Sequence, residues 1–155
     1  MKKQLTNVAI TLLTIISVSA QSKKNQMEKR ITNPWEWQNA RSYVQAVEVK
    51  NVESTLYISG QTATDFEGKA STDSMKSQLT QAIQNLEQVI KEAGYESKNI
   101  VRLNIYTTSS EEFIECFDVF QKWIEKNNIK QVSTLLEVKS LFETLKIELE
   151  ATVVK

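Results

Sequence analysis

The amino-acid sequence predicts an α+β domain: a sheet carrying two helices on one face, in the order β-β-α-β-α-β-β. Three observations predict it. Met75–Ala93 and Phe113–Ile124 place apolar residues at spacings of three and four, the period of a helix with one buried side. Ile100–Thr107 and Leu145–Val153 alternate apolar and polar residues, the period of a strand with one buried side. The helices are interleaved with the strands, an order that layers both against the same side of a sheet. The opposite side is then left to solvent or to another subunit.

Taken in order, residues 1–20 read as an export signal. Lys2 and Lys3 give a positive start, Val8–Val18 is an uncharged run, and Val18-Ser19-Ala20 supplies small residues at the cleavage position. The run falls short of the roughly 20 apolar residues that span a bilayer as a helix. Cleavage after Ala20 is expected, with a periplasmic or secreted product and no membrane attachment afterwards. Residues 21–30 are a polar, charged leader without apolar period, expected to be loose, and the domain is expected over 31–155.

Ile31-Thr32-Asn33-Pro34 leads to Trp35 and Trp37, and the only proline favours an extended or turning start. Tyr43–Val49 and Thr55–Ser59 read as two short strands joined by a turn over residues 50–54. Gly60 and Gly68 bracket a polar loop. Asp73 is the expected N-cap of the first helix, and Gly94 its stop. Ile100–Thr107 is the third strand. Ser109 and Glu112 stand in capping-box spacing at the start of the second helix, whose stripe runs through Phe113, Cys116, Phe117, Phe120, Trp123 and Ile124. Cys116 lies inside that stripe and reads as a packed core thiol. Val132–Val138 and Leu145–Val153 complete the sheet.

Composition then restricts the chemistry. With 155 residues, 41% of them hydrophobic and 25% charged, the chain fits a single globular domain. There is no histidine, so Ser-His-Asp triads, Cys-His pairs and histidine-ligated metals are excluded. Proton transfer falls to Glu, Asp, Lys, Tyr or water. The single cysteine cannot form an internal disulfide. Bases and acids balance at 19 each, and loss of residues 1–20 removes Lys2 and Lys3 but no acid. A weakly acidic domain lacks the basic footprint of a nucleic-acid binder.

Several motifs occur together in order. They are Tyr43-Val44-Gln45-Ala46-Val47, Ile58-Ser59-Gly60-Gln61, Gln81-Ala82-Ile83-Gln84-Asn85-Leu86, Ala93-Gly94, Ile100-Val101-Arg102-Leu103 and Lys146-Ile147-Glu148-Leu149-Glu150-Ala151. Over about Tyr43–Val153 the chain resembles the RidA (YjgF) family. Asn33-Pro34-Trp35, Trp37 and Ser133-Thr134-Leu135-Leu136 are closer to a divergent branch of it. The resemblance implies a chorismate-mutase-like fold and a homotrimer whose sheets line a central barrel, with small-molecule clefts between subunits. It implies hydrolysis of reactive enamines or imines to a 2-keto acid and ammonia, with no metal and no cofactor.

Residue by residue, Tyr43 matches the tyrosine at the cleft mouth and Ser59-Gly60 the cleft-lining segment. Glu148 matches the acid that orients water, and is the candidate catalytic residue. Two positions depart. Ser133 stands where active members carry an arginine that clamps the substrate carboxylate, and Phe117 stands where they often carry an asparagine. Phe142 occupies the proline of the family's Leu-Pro step. A serine cannot replace a guanidinium as a carboxylate clamp. The arginines beyond the leader are Arg41 and Arg102, and Arg102, opposite in phase to Leu103 and Ile105, is the candidate for a compensating cation on the barrel side. Three functions follow as expectations: an exported imine or enamine hydrolase, a non-catalytic trimer binding a small metabolite, or a structural trimer.

Overall fold

The computed structural model describes residues 26–155; the expected signal and the first half of the expected leader lie outside the described residues. The chain begins with a two-stranded antiparallel ribbon, β1 (Glu28–Thr32) and β2 (Ala46–Lys50), joined through a 3₁₀ turn over Trp37–Arg41. Then follow β3 (Thr55–Thr62), α1 (Met75–Glu92), β4 (Ile100–Thr107), α2 (Ser110–Glu115), α3 (Phe117–Lys126), β5 (Val132–Glu137) and β6 (Ile147–Val154).

The main sheet runs β3-β6-β4-β5. β6 is antiparallel to both neighbours, whereas β4 and β5 are parallel, so α2 and α3 form the crossover that a parallel pair requires. Ile58, Leu103, Ile105, Leu149, Ala151 and Val153 point from the sheet into one core with Leu79, Leu86, Phe113 and Phe120 from the helices. Both helical layers therefore cover the same face, as the interleaved periods predict. No helix among the described residues is long and apolar enough to cross a membrane.

Five local features differ from the sequence expectations. Glu28–Arg30, expected within a loose leader, belong to β1: the segment pairs with β2, and Lys29 Nζ donates to Lys98 O at 2.9 Å, which ties the ribbon to the body. Gly60, expected to open a loop, lies inside β3. Ser74, not Asp73, caps α1, its Oγ accepting from Ser77 N at 3.4 Å. The second helix is broken at Cys116 (φ −114°, ψ 19°), where Cys116 N bonds to Phe113 O and Val119 N to Cys116 O in tight three-residue turns. The break seats Phe117 edge-on to Phe113 and stacked on Phe120, at ring separations of 5.5 and 5.6 Å. Half of the expected capping box forms: Ser109 Oγ accepts from Glu112 N at 3.2 Å, but the Glu112 carboxylate turns to Lys146 Nζ at 2.6 Å.

Gln78 fixes the start of β6. Fully buried, its Nε2 reaches Ser71 O, Asp73 O and Thr144 O, each at 3.2 Å, and its Oε1 accepts from Lys146 N at 2.8 Å. Gln78→Leu removes the acceptor of that N–H and the donor to the carbonyls, a loss of about 1–3 kcal/mol. Urea unfolding is expected to show a lower midpoint at an unchanged slope; an unchanged midpoint would contradict the role given to this amide.

Candidate functional site

The site residues expected from the sequence fall into three places. Tyr43, Phe117 and Ser133 come together in a cleft of about 460 Å³ on the helix side of the sheet. Ser133 faces that side because it pairs in register with the buried Leu103 across the parallel β4–β5 ladder. Phe117 reaches the cleft from the first turn of α3, and Tyr43 from the segment entering β2.

Gly60 and Glu148 form the second group, on the opposite face. Glu148 pairs in register with Tyr106 and Thr62, both phased against the core positions. Between Ile58 and Gln61, β3 carries one residue more than β6, a bulge centred on Ser59-Gly60. The Glu148 side chain lies over Gly60: a Cβ there would collide with Oε1 and Cδ and lie 2.6 Å from Cγ. Glycine at 60 therefore makes room for this carboxylate rather than for a special backbone angle. Ser59 is exposed beside it. Gly60→Ala is expected to keep the fold, because the obstructing atoms belong to a flexible side chain, and to swing the Glu148 carboxylate aside. Loss of activity with an unchanged Tm would bear this out; full activity would contradict it.

Arg102 is the third. It is exposed, on the face away from the helices, in a shallow groove with Asn104 and Thr134. Its phase is the one expected, but it does not stand inside the cleft with Tyr43 and Phe117.

The two acids of β6 differ in partners. Glu150 Oε2 accepts from Tyr106 Oη at 2.9 Å and from Asn104 Nδ2 at 3.4 Å. That hydrogen bond is the main cause that holds the Tyr106 phenol above its usual range, with burial second. Glu148, half-buried, takes part in no hydrogen bond or ion pair among the described residues. A carboxylate without protein partners retains all its acceptor sites for water or a ligand. Cys116 is buried, and burial pushes its thiol up, while Sγ donates to Glu112 O at 3.3 Å. It is a core thiol.

One cleft residue was not placed by sequence reasoning. Arg41 lines the same cleft as Tyr43 and Ser133, its guanidinium 5.2 Å from the centre of the Trp37 ring. Trp37 in turn meets Tyr43 edge-on at 6.4 Å and stacks on Trp35 at 6.2 Å. No spacing signal marked it: Trp37–Arg41 is a 3₁₀ turn, in which residues three apart and not four share a side.

Comparison with known proteins agrees with this architecture. The family model described as Endoribonuclease L-PSP matches residues 35–155. A RutC family protein of Aquifex aeolicus (strain VF5) is 31% identical over 113 residues, covering 73% of this chain and 88% of that protein. Among solved structures, the Rid family protein YyfB of Yersinia pestis, itself described as of unknown function, superposes with a TM-score of 0.73. It is 26% identical and covers 82% of this chain and 98% of its own. The YjgF gene product of E. coli shares the fold, with a TM-score of 0.60 at 23% identity, over 73% of this chain and 87% of its own. The class is thus the chorismate-mutase-like α+β fold expected from the sequence. The chain belongs to the RidA/YjgF family, whose model carries the Endoribonuclease L-PSP description.

Proposed function

We propose that the protein is an exported homotrimer whose clefts, lying between subunits, hydrolyse small imines or enamines to a keto compound and ammonia. The observation that carries this reading is Glu148, a half-buried carboxylate without partners, held over a glycine bulge in a family whose active members place a water-orienting acid there. An enamine first shifts a proton from nitrogen to its β-carbon to become the imine. Water then adds to the C=N carbon while Glu148 takes one of its protons and passes it to nitrogen, giving a carbinolamine. The carbinolamine hydroxyl proton moves through Glu148 to nitrogen as the C–N bond breaks, leaving the keto compound and ammonia. Orientation of the water and the acid supplies most of the rate.

Two features support assembly. Within one chain Glu148 and the Tyr43–Ser133 cleft face opposite sides of the sheet, so a neighbouring copy is the simplest source of the missing half. The face away from the helices also leaves Tyr57 80% and Leu136 49% exposed, apolar surface suited to burial against another subunit. Lys2-Lys3 and the uncharged run before Ala20 support export. A nucleic-acid substrate fits poorly with a chain that has no histidine and more acids than bases after Ala20.

A second reading, a metabolite-binding trimer without turnover, is favoured by Ser133. Its hydroxyl is neutral and already accepts from Gln131 Nε2 at 3.3 Å. The purified protein, supplied with freshly generated imines of several amino acids, separates the two. Ammonia and keto-acid release supports hydrolysis; ligand-dependent stabilisation without release supports binding alone.

A further inference from the structure

The cleft that holds Ser133 has a mainly apolar lining with one cationic residue. Phe113, Phe117, Phe120, Ile105 and Leu135 form its wall, with Leu135 still 40% exposed. Tyr43 and Ser133 contribute hydroxyls, and Arg41 is the one charged side chain of its lining. A ligand seated here meets a broad aromatic surface and a single positive charge.

Arg41 keeps its charge free, and the backbone around it is held in place. It forms no ion pair among the described residues and instead lies over the Trp37 ring. Stacking on an aromatic face holds a guanidinium without neutralising it, leaving its planar donor edge for a carboxylate. The backbone on either side is clamped from the body of the domain. Gln121 Nε2 donates to Ala40 O at 3.1 Å, and the buried Gln131 donates through Nε2 to Ser42 O at 2.9 Å. Val44 N donates to Gln131 O at 2.9 Å, and Ser42 turns the chain with φ 57°. Gln131 Nε2 also meets Ser133 Oγ at 3.3 Å, so one buried amide links the Arg41 turn to Ser133.

The other cations do not compete for this position. Lys146 is paired with Glu112 at 2.6 Å and Lys122 with Asp118 at 2.7 Å, while Arg102 stands on the opposite face of the sheet.

We infer that this cleft binds a small monocarboxylate with a bulky apolar or aromatic body, and that Arg41 is its carboxylate-binding residue. A volume of about 460 Å³ suits an aromatic amino-acid-sized molecule and is generous for a two- or three-carbon acid. The inference deepens the proposed function by naming its substrate class, and rests on that reading only for the chemistry that follows binding.

The test uses phenylacetate, its neutral isostere phenylacetamide, and acetate, titrated into the purified protein by calorimetry. Wild type is expected to bind phenylacetate at least about tenfold more tightly than either of the others, the size of a hydrogen-bonded charge contact. Arg41→Ala is expected to weaken phenylacetate by about ten- to a hundredfold and leave phenylacetamide unchanged. Arg41→Lys, which keeps charge but not the forked geometry, is expected to recover part of the loss. A preference for phenylacetate that persists in Arg41→Ala overturns the inference, as does one abolished by Arg102→Ala, or equal binding of all three probes by wild type. Ammonia release measured on the same preparations keeps the two conclusions apart. Turnover without the aromatic-anion preference overturns this inference alone; the preference without turnover overturns hydrolysis alone.

Discussion

Glu148→Gln is expected to lower ammonia release by about 10²–10⁴-fold, the usual contribution of a positioned acid–base group. The substitution keeps the shape of the side chain over Gly60 and removes only its capacity to take a proton from water. Stability should change little, because Glu148 makes no hydrogen bond or ion pair among the described residues for the amide to lose. Glu150→Gln is the companion variant. It sits two residues away on the same strand, but its carboxylate is occupied by Tyr106 and Asn104. In that variant the Tyr106 phenol should titrate at lower pH, since its main upward influence is gone, while turnover should persist. Ultraviolet titration of tyrosine and an ammonia assay read both effects. Equal activity in wild type and Glu148→Gln would remove the proposed base.

Phe113→Ala is expected to have the largest effect on stability, about 3–5 kcal/mol. The ring is fully buried and packs edge-on against Phe117 and Phe120, at separations of 5.5 and 6.0 Å. Removing it opens a void between the broken second helix and the sheet that neither flanking ring can fill without leaving its partner. The same ring lines the cleft, so surviving protein should also bind aromatic carboxylates less tightly. Ile114→Ala, one residue along but 59% exposed, should stay within about 0.5 kcal/mol of wild type. A urea midpoint for Phe113→Ala close to that of Ile114→Ala would contradict the packing described.

The elements with strong period were legible in the sequence. α1, β4 and β6 lie close to where the apolar spacing puts them, and Ser109 caps its helix as its spacing to Glu112 implies. What escaped was set by contacts between distant residues. β1 has no apolar period of its own; the β2 ladder and the reach of Lys29 to Lys98 order it. The break at Cys116 contains neither glycine nor proline, and follows from how Phe113, Phe117 and Phe120 pack. Gly60 read as a loop residue because its reason lies across the ladder, in Glu148.

The candidate site divides the same way. Resemblance marked Tyr43, Phe117, Ser133 and Glu148, but only the strand register separates Ser133 from Glu148 onto opposite faces. Arg41 lies in a short 3₁₀ turn with no periodic pattern to mark it. Its place beside Ser133 depends on Gln121 and Gln131, some 80 to 90 positions further along the chain.

The central claim is that one subunit's Glu148 serves the Tyr43–Ser133 cleft of another. It is tested most directly by co-refolding Glu148→Gln with Ser133→Trp, whose indole is expected to fill the cleft and abolish turnover, in equal amounts and measuring ammonia release. In a cyclic trimer each interface joins unlike faces, so random mixing leaves about a quarter of the sites with both halves intact. The account predicts recovery of about that fraction of wild-type turnover. Mixed trimers verified by mass and showing no recovery would contradict it.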